Sequence, residues 1–301
     1  MDWITGIQRA INYIEDHLTE QIDYDAAARE SFSSSFHFQR VFSILCGYTL
    51  GEYIRSRRLS LAGAELAAGK GRIIDIAAKY GYDSPDSFAK AFQRFHGITP
   101  SQARGSGAML KSFSRLSLKI TLEGGSIMNY RIEEKPEMLL VGYKRRFTGD
   151  PNDMQMQDHY FACESRLEQY ILEGMCREHE ITYQVLTNFS EDGYDFYLAY
   201  LFPQWALDCL EEIPADIAER FHRLTIPKGL YYICETTRCK FPIEQLEGLR
   251  LQAVTDWLPS SDFVLRDAPE IGVIHWPFED GNEQVNNSHF CELWLPVEKK
   301  T

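Results

Sequence analysis

No apolar run in the chain approaches the roughly 18–20 residues that a bilayer span requires, so no membrane-crossing helix is expected. The amino terminus, MDWITGIQRA, lacks the basic stretch and following apolar block of a signal peptide. Cysteine is sparse and odd in number, with seven residues and no CxxC pair. Cys234 and Cys239 fall close together but without the second pair that a structural zinc site needs. His159, His179, His222, His275 and His289 show no i,i+4 pairing for a metal, and Glu279-Asp280 with Glu283 reads as a solvated loop rather than a calcium site. A Gly-rich phosphate loop, HExxH and G-x-S-x-G are all missing. These absences predict a reduced, cytoplasmic chain with no membrane partner, no metal and no cofactor.

What is present suffices for two full cores. The 301 residues are about twice the usual domain length, and 44% of them are hydrophobic against 25% charged. The net charge of −13 is unevenly placed. Residues 1–108 hold 12 basic and 12 acidic side chains, so all of the excess negative charge lies beyond them. A neutral segment can still bind a polyanion if its basic groups cluster, because salt screens charge beyond about 8–10 Å. Arg55, Arg57 and Arg58 form such a cluster and are expected at phosphates.

The first hundred residues repeat with an offset of fifty. Asp25 matches Asp75, Ala27-Ala28 matches Ala77-Ala78, and Ser34 matches Ser84. Phe38, Phe42, Gly47 and Thr49 match Phe88, Phe92, Gly97 and Thr99, and Arg40 matches Lys90. In the second copy a short helix over 73–80 ends at Gly81, which suits a left-handed residue. Ser84 is a good N-cap with Pro85 at the first helical position. Phe88, Ala91, Phe92 and Phe95 then make one buried stripe. This is a helix-turn-helix pattern. The first copy repeats it, with Ser33 or Ser34 as cap and Phe38, Val41, Phe42 and Leu45 as stripe, but Phe32 and Ser33 stand where Gly81 and Tyr82 would be expected. A long helix over residues 49–68 joins the copies, and Ile4, Ile7, Ile11, Ile14 and Leu18 predict an amphipathic helix covering them.

Helical-wheel positions put Phe36, Arg40 and Ser43 outward on the first recognition helix, with Gln39 on its flank. On the second, Asp86, Lys90, Gln93 and Arg94 face outward. Arg and Lys can donate to guanine, and Gln can pair with adenine, in a major groove. The stretches 36–42, Gly47 and 52–59, and then Ile76-Ala77, Gly81-Tyr82, Ser87-Phe88, Phe92 and 97–100, resemble the AraC/XylS family of transcription regulators. The resemblance covers about residues 5–105. It implies two recognition helices in adjacent major grooves, base contacts at Gln39, Arg40 and Lys90, and Arg94 with the arginine cluster near phosphate.

Beyond residue 128 strands and helices alternate. Strands are expected at 138–143, 183–186, 194–202, 229–234, 264–265, 271–274 and 290–297, with helices at 160–177 and 243–258. FSRLSLKITL at 113–122 is expected as a docked strand between flexible glycine-serine stretches. Two tandem β-α-β-β units would build an α+β domain. The last strand puts Phe290, Glu292 and Trp294 on one face. A carboxylate between two aromatics is costly to desolvate unpaired, so it is paired, protonated, or waiting for a cation. A rim glutamate bridged to an arginine or lysine is the plainer alternative. The arrangement resembles a GyrI-like (Rob-type) effector-binding domain on 140–142, Asp256-Trp257-Leu258-Pro259 and 292–297. That resemblance implies cationic, lipophilic ligands at Glu292, with Trp294, Phe290, Trp257, Trp276 and Tyr197 as candidate walls.

The full expectation is an all-α double helix-turn-helix domain at 1–108, a linker at 109–128 and a GyrI-like α+β domain at 129–301. Its function would be transcription regulation on double-stranded promoter DNA, with a small-molecule effector and RNA polymerase as partners, rather than catalysis. A hydrolase using Glu292 as base, with DNA binding as control, is the alternative.

Overall fold

The computed structural model describes residues 3–105, 107–117, 128–148, 165–176, 180–190, 193–210 and 214–300. They form two compact units, one of residues 1–39 with 49–122 and the other of 40–48 with 123–301.

The first unit is helical. Helix α1 (Trp3–Asp16) buries Ile7, Ala10, Ile11 and Ile14 and packs on α2 (Tyr24–Glu30). Then come α3 (Ser35–Cys46), of which only residues 35–39 belong to this unit and residues 40–46 to the other, α4 (Leu50–Ala67), α5 (Ile73–Lys79), α6 (Pro85–His96) and α7 (Pro100–Ala103). The expected joining helix is α4, which packs on α5, α6 and α7. Leu59, Ala62 and Leu66 of α4 share a core with Ile76, Ala77, Phe88 and Phe92. Thr49 and Thr99 each open a helix with a reciprocal cap, to Glu52 and Gln102 respectively. Each satisfies two backbone donors that the helix start leaves unpaired.

The repeat has a shift that an ungapped alignment hides. Helices α2 and α5 correspond at an offset of 49, since the buried pairs are Ala27-Ala28 and Ile76-Ala77. Helices α3 and α6 correspond at 50. The extra residue lies in the second turn. Phe32 (φ 54°) takes the left-handed position of Gly81 (φ 79°), and Ser33 N–H donates to Ala28 O as Tyr82 N–H donates to Ala77 O. The matches of Asp25 with Asp75 and of the two Ala-Ala pairs are therefore one residue out of structural register. Residues 113–117 are docked but irregular rather than a strand: Phe113 N–H donates to Ser60 Oγ (3.0 Å), and Leu116 N–H to Tyr53 Oη (3.2 Å). Residues 118–122 of that expected strand lie outside the described residues.

In the second unit the strands are β1 (Tyr130–Lys135), β2 (Met138–Phe147), β3 (Ile181–Ser190), β4 (Gly193–Leu201), β5 (His222–Ile226), β6 (Gly229–Glu235), β7 (Phe263–Leu265), β8 (Glu270–His275) and β9 (Phe290–Lys299). Its helices are α8 (Arg166–Cys176), α9 (Gln204–Leu210), α10 (Ala215–Ala218), α11 (Leu246–Gln252) and α12 (Glu283–Asn286). Residues 160–164 and 177 of the expected first helix lie outside the described residues. The strands make one antiparallel sheet in the order β1-β6-β9-β8-β3-β4-β2-β5, with β7 beside β9.

Tandem β-α-β-β units account for this order. In β2-α8-β3-β4 and again in β6-α11-β8-β9, the first strand pairs with the last, and the units join where β3 meets β8. Helices cover one face. There Leu172 and Cys176 of α8 pack on Val141, Tyr143, Leu198 and Tyr200, and an added Cβ on Gly272 would lie 3.3 Å from Leu246 of α11. The other face carries Leu140, Tyr183, Val185, Tyr197, Tyr231, Ile271, Val273 and Trp294 in one cluster.

Candidate functional site

Helix α6 divides cleanly. Phe88 and Phe92 are buried, while Asp86, Lys90, Gln93 and Arg94 are exposed, as the wheel predicts. Ser84 caps the helix through Ser87 N–H, and Gly97 (φ 82°) ends it. His96 is buried at its last turn. Lys111 N–H donates to His96 Nδ1 (3.2 Å), so the proton sits on Nε2 and is given to Leu59 O (3.0 Å). Burial holds its pKa below the usual histidine range. A Cβ on Gly63 would lie 2.8 Å from this ring, so Gly63 makes room for it.

Helix α3 is different. Phe36 and Gln39 are half-buried, and Gln39 donates to Ser35 Oγ (3.2 Å). Arg40 and Ser43, expected outward, are buried. Only 3% of the Arg40 side chain is exposed, and its guanidinium pairs with Glu270. It also lies 4.1 Å over the Phe189 ring. Glu270 binds Arg250 as well (2.6 Å). Burial alone would raise the Glu270 pKa, but Arg250 and Arg40 together hold it below the ordinary carboxylate value. A wheel drawn from one helix contains no term for such a partner.

The arginine cluster on α4 also separates. Arg55 is exposed. Arg57 forks onto Glu15 with two 2.8 Å bonds and donates to Phe113 O (2.5 Å). Burial pulls the Glu15 pKa up, yet the bonds from Arg57 and Tyr53 bring it below normal. Arg58 donates to Leu18 O (2.8 Å) and Glu20 O (2.6 Å).

In the sheet unit, Glu292 is nearly buried on the sheet face opposite α8 and α11, and both oxygens are engaged. Arg131 Nη2 lies 2.5 Å from Oε1, and Trp294 Nε1 donates to Oε2 at 2.7 Å. Of the three sequence alternatives, the structure has the paired one. Glu235 stands directly opposite Glu292 across β6 and β9, a repulsive pairing that Arg131 relieves by also bonding Glu235 (3.0 Å). Burial opposes the Arg131 charge, but its carboxylate bonds raise its pKa overall. Phe290 shares this face, stacked on His275 at 4.2 Å with Arg238 at 3.9 Å over its ring. Tyr197 lies in the same cluster as Trp294.

Trp257 and Trp276 are not brought to Glu292. Trp257 packs on Tyr232 (4.3 Å) and Phe263 (5.8 Å) behind the sheet. Trp276 lines a cavity of about 720 Å³ on the helix-bearing face, bounded by α8 and the 3₁₀ turn Pro242–Gln245. Arg131 was missed by sequence reading. The available signal was its place on β1, but YRIEEK is too polar to read as a strand.

Residues 128–298 match the GyrI-like small molecule binding domain family, which is over half the chain, and residues 27–106 match a helix-turn-helix domain family. The HTH-type transcriptional activator AarP of Providencia stuartii is 44% identical over 98 residues, covering 33% of this chain and 73% of that protein. Regulatory protein SoxS of Salmonella typhimurium is 41% identical over 98 residues, covering 33% of this chain and 92% of that protein. The chain is an AraC-type regulator with a GyrI-like domain. The right origin-binding protein of Escherichia coli is 35% identical over 106 residues, 37% of its own length. In this AraC-type regulator the matched helix-turn-helix region includes both α3 and α6, and the GyrI-like match runs from before β1 to the last-but-one residue of β9. These matches support DNA binding and small-molecule binding, and give no support to the hydrolase alternative. No helix among the described residues is long and apolar enough to cross a membrane.

Proposed function

We propose that this regulator acts in the cytoplasm by binding promoter DNA through α3 and α6 in adjacent major grooves. Its domains would be 1–108 for DNA, 109–128 as linker and 129–301 for an effector whose occupancy changes engagement of RNA polymerase. One observation carries the reading: the row Asp86, Lys90 and Arg94 is exposed opposite the buried Phe88 and Phe92. Lys90 and Gln39 are the base-contacting candidates, Phe36 and Asp86 flank them, and Arg55 and Arg94 meet phosphate. Arg57 and Arg58 act from behind, shaping the unit through Glu15, Leu18 and Glu20. Arg40 reads a base only by exchanging Glu270 for DNA.

The effector is a lipophilic cation held at Glu292, with Trp294, Phe290 and Tyr197 as its apolar surroundings. The cation competes with the Arg131 guanidinium for the Glu292 carboxylate. Aromatic faces add about 0.5–2 kcal/mol each when a cation sits over them.

Two substitutions in the full chain test both halves. Lys90→Ala is expected to cost about 1–3 kcal/mol of specific binding and to relax preference at one base position. An unchanged footprint and base preference would remove α6 as the reading element. Glu292→Gln is expected to weaken benzyltrimethylammonium far more than its neutral carbon isostere in calorimetry. Equal losses for the two would leave Glu292 a structural partner of Arg131 alone.

A further inference from the structure

The two recognition helices differ at equivalent positions. Arg40, Ser43 and Ile44 of α3 correspond to Lys90, Gln93 and Arg94 of α6. The three in α6 are exposed, and the three in α3 are buried. The division between the two units runs through α3, since residues 40–48 belong with the sheet. Ile44 stands where α6 has Arg94, so this face of α3 carries a side chain that favours cover over water. The face expected to read a base is also built to be covered.

Within the sheet unit, Glu270 at the start of β8 receives Arg250 of α11 on Oε1 (2.6 Å) and Arg40 on Oε2. All three side chains are buried, so two guanidinium groups share one carboxylate away from water. Arg40 Nη1 is buried with no hydrogen-bond partner among the described residues. Burial and the Arg250 charge hold the Arg40 pKa below the usual guanidinium value despite Glu270. A buried charge paired this imperfectly makes the covered state easy to leave. When Arg40 goes, Arg250 stays on Glu270, so the carboxylate is not stranded. The other contact of Arg40 is the Phe189 ring, 4.1 Å from its guanidinium carbon. A carboxylate and an aromatic face resemble what an arginine meets on DNA, a phosphate oxygen and a base.

We propose that this arrangement is an autoinhibitory latch, in which Glu270 and Phe189 stand in for phosphate and base and keep α3 from reading DNA. The inference rests on the assignment of α3 and α6 to adjacent major grooves. In the latched state α6 alone, of the two helices, presents an exposed row. Release of Arg40 supplies the second groove contact, and affinity for a two-groove site is reduced to the extent that molecules are latched. An effector that binds the released state better raises DNA affinity without touching DNA.

Glu270→Gln takes the carboxylate from two arginines at once and puts folding of the sheet unit at risk, so the test uses Phe189→Ala. Selection with the full Phe189→Ala chain on randomised duplexes of roughly 20 base pairs, two helical turns, gives the DNA site. The half whose base preference survives Lys90→Ala is the half read by α3, and a second duplex has that half scrambled. Phe189→Ala is expected to bind the intact site about fivefold or more tightly than the parent, as loss of a desolvated cation–π contact implies. Both chains should bind the scrambled duplex equally. In an Arg40→Ala background, Phe189→Ala should change nothing, because no guanidinium remains to be held. Equal affinity of parent and Phe189→Ala for the intact site would overturn the latch while leaving α3 as a reader. So would a gain that persists on the scrambled duplex or in the Arg40→Ala background. A recovered site of one groove only would remove α3 as a reader and the latch with it.

Discussion

Phe32, an exposed residue, holds φ at 54°, a conformation that a bulky residue rarely adopts. The left-handed region costs a non-glycine residue about 1–2 kcal/mol. The Arg9 guanidinium 4.9 Å over the ring returns about 0.5–1 kcal/mol at an exposed site. Phe32→Gly should therefore be at least as stable as the parent, and about 1 kcal/mol more stable than Phe32→Ala, which keeps the strain and loses the ring. Urea unfolding of the three proteins checks this; an alanine variant equal to the glycine variant would show that the turn is not strained. The same residue shows how far local pattern carries. Its misfit with glycine is visible in the repeat, but the one-residue shortening of its turn is not, because Asp25 and Ala27-Ala28 match equally well out of register. Site residues divide in the same way. Lys90 and Arg94 are exposed as their periodicity predicts, since only their own helix decides it. Arg40 has the same periodicity and is buried, because Glu270, distant in sequence, pairs with it.

Helix ends are where short-range chemistry is strongest. Thr49 with Glu52 and Thr99 with Gln102 are the same device at the same place in each copy, preceded by left-handed Gly47 and Gly97. Thr49→Ala and Thr99→Ala should each lower stability by about 1 kcal/mol. An unshifted thermal midpoint in either variant would mean that tertiary packing, not the cap, sets where α4 or α7 begins. Helices with caps and apolar stripes were accordingly legible: α4 lies within a residue of its expected limits at both ends, and α6 begins at Pro85. Buried strands were legible too, in the runs that became β2, β4, β6, β8 and β9. The two missed strands, β1 and β5, are the two ends of the sheet order. Tyr130–Lys135 carries four charged side chains and His222–Ile226 is short, both devices that keep an exposed edge from pairing with other chains. Such strands exist because a neighbour offers hydrogen bonds, so their own residues need not alternate.

On the scale of the whole chain, neutral charge over residues 1–108 and a net −13 beyond them match the division between DNA-binding and small-molecule-binding families. If effector binding alters DNA affinity by some factor, DNA must alter effector affinity by the same factor. Titrating benzyltrimethylammonium into the full chain with and without its DNA site should give dissociation constants that differ about fivefold or more. Identical constants would mean that the ligand does not regulate DNA binding at equilibrium. From the sequence alone came two helix-turn-helix copies, two β-α-β-β units and the residue types available on each face, because these follow from periodicities of a few residues. Only the tertiary structure decided that Glu292 is paired with Arg131, that Arg40 is held by Glu270, and that Trp257 and Trp276 lie behind the sheet. Those outcomes depend on strand order and on which distant charge reaches which, and burial makes an unpaired charge too costly for either partner to choose alone.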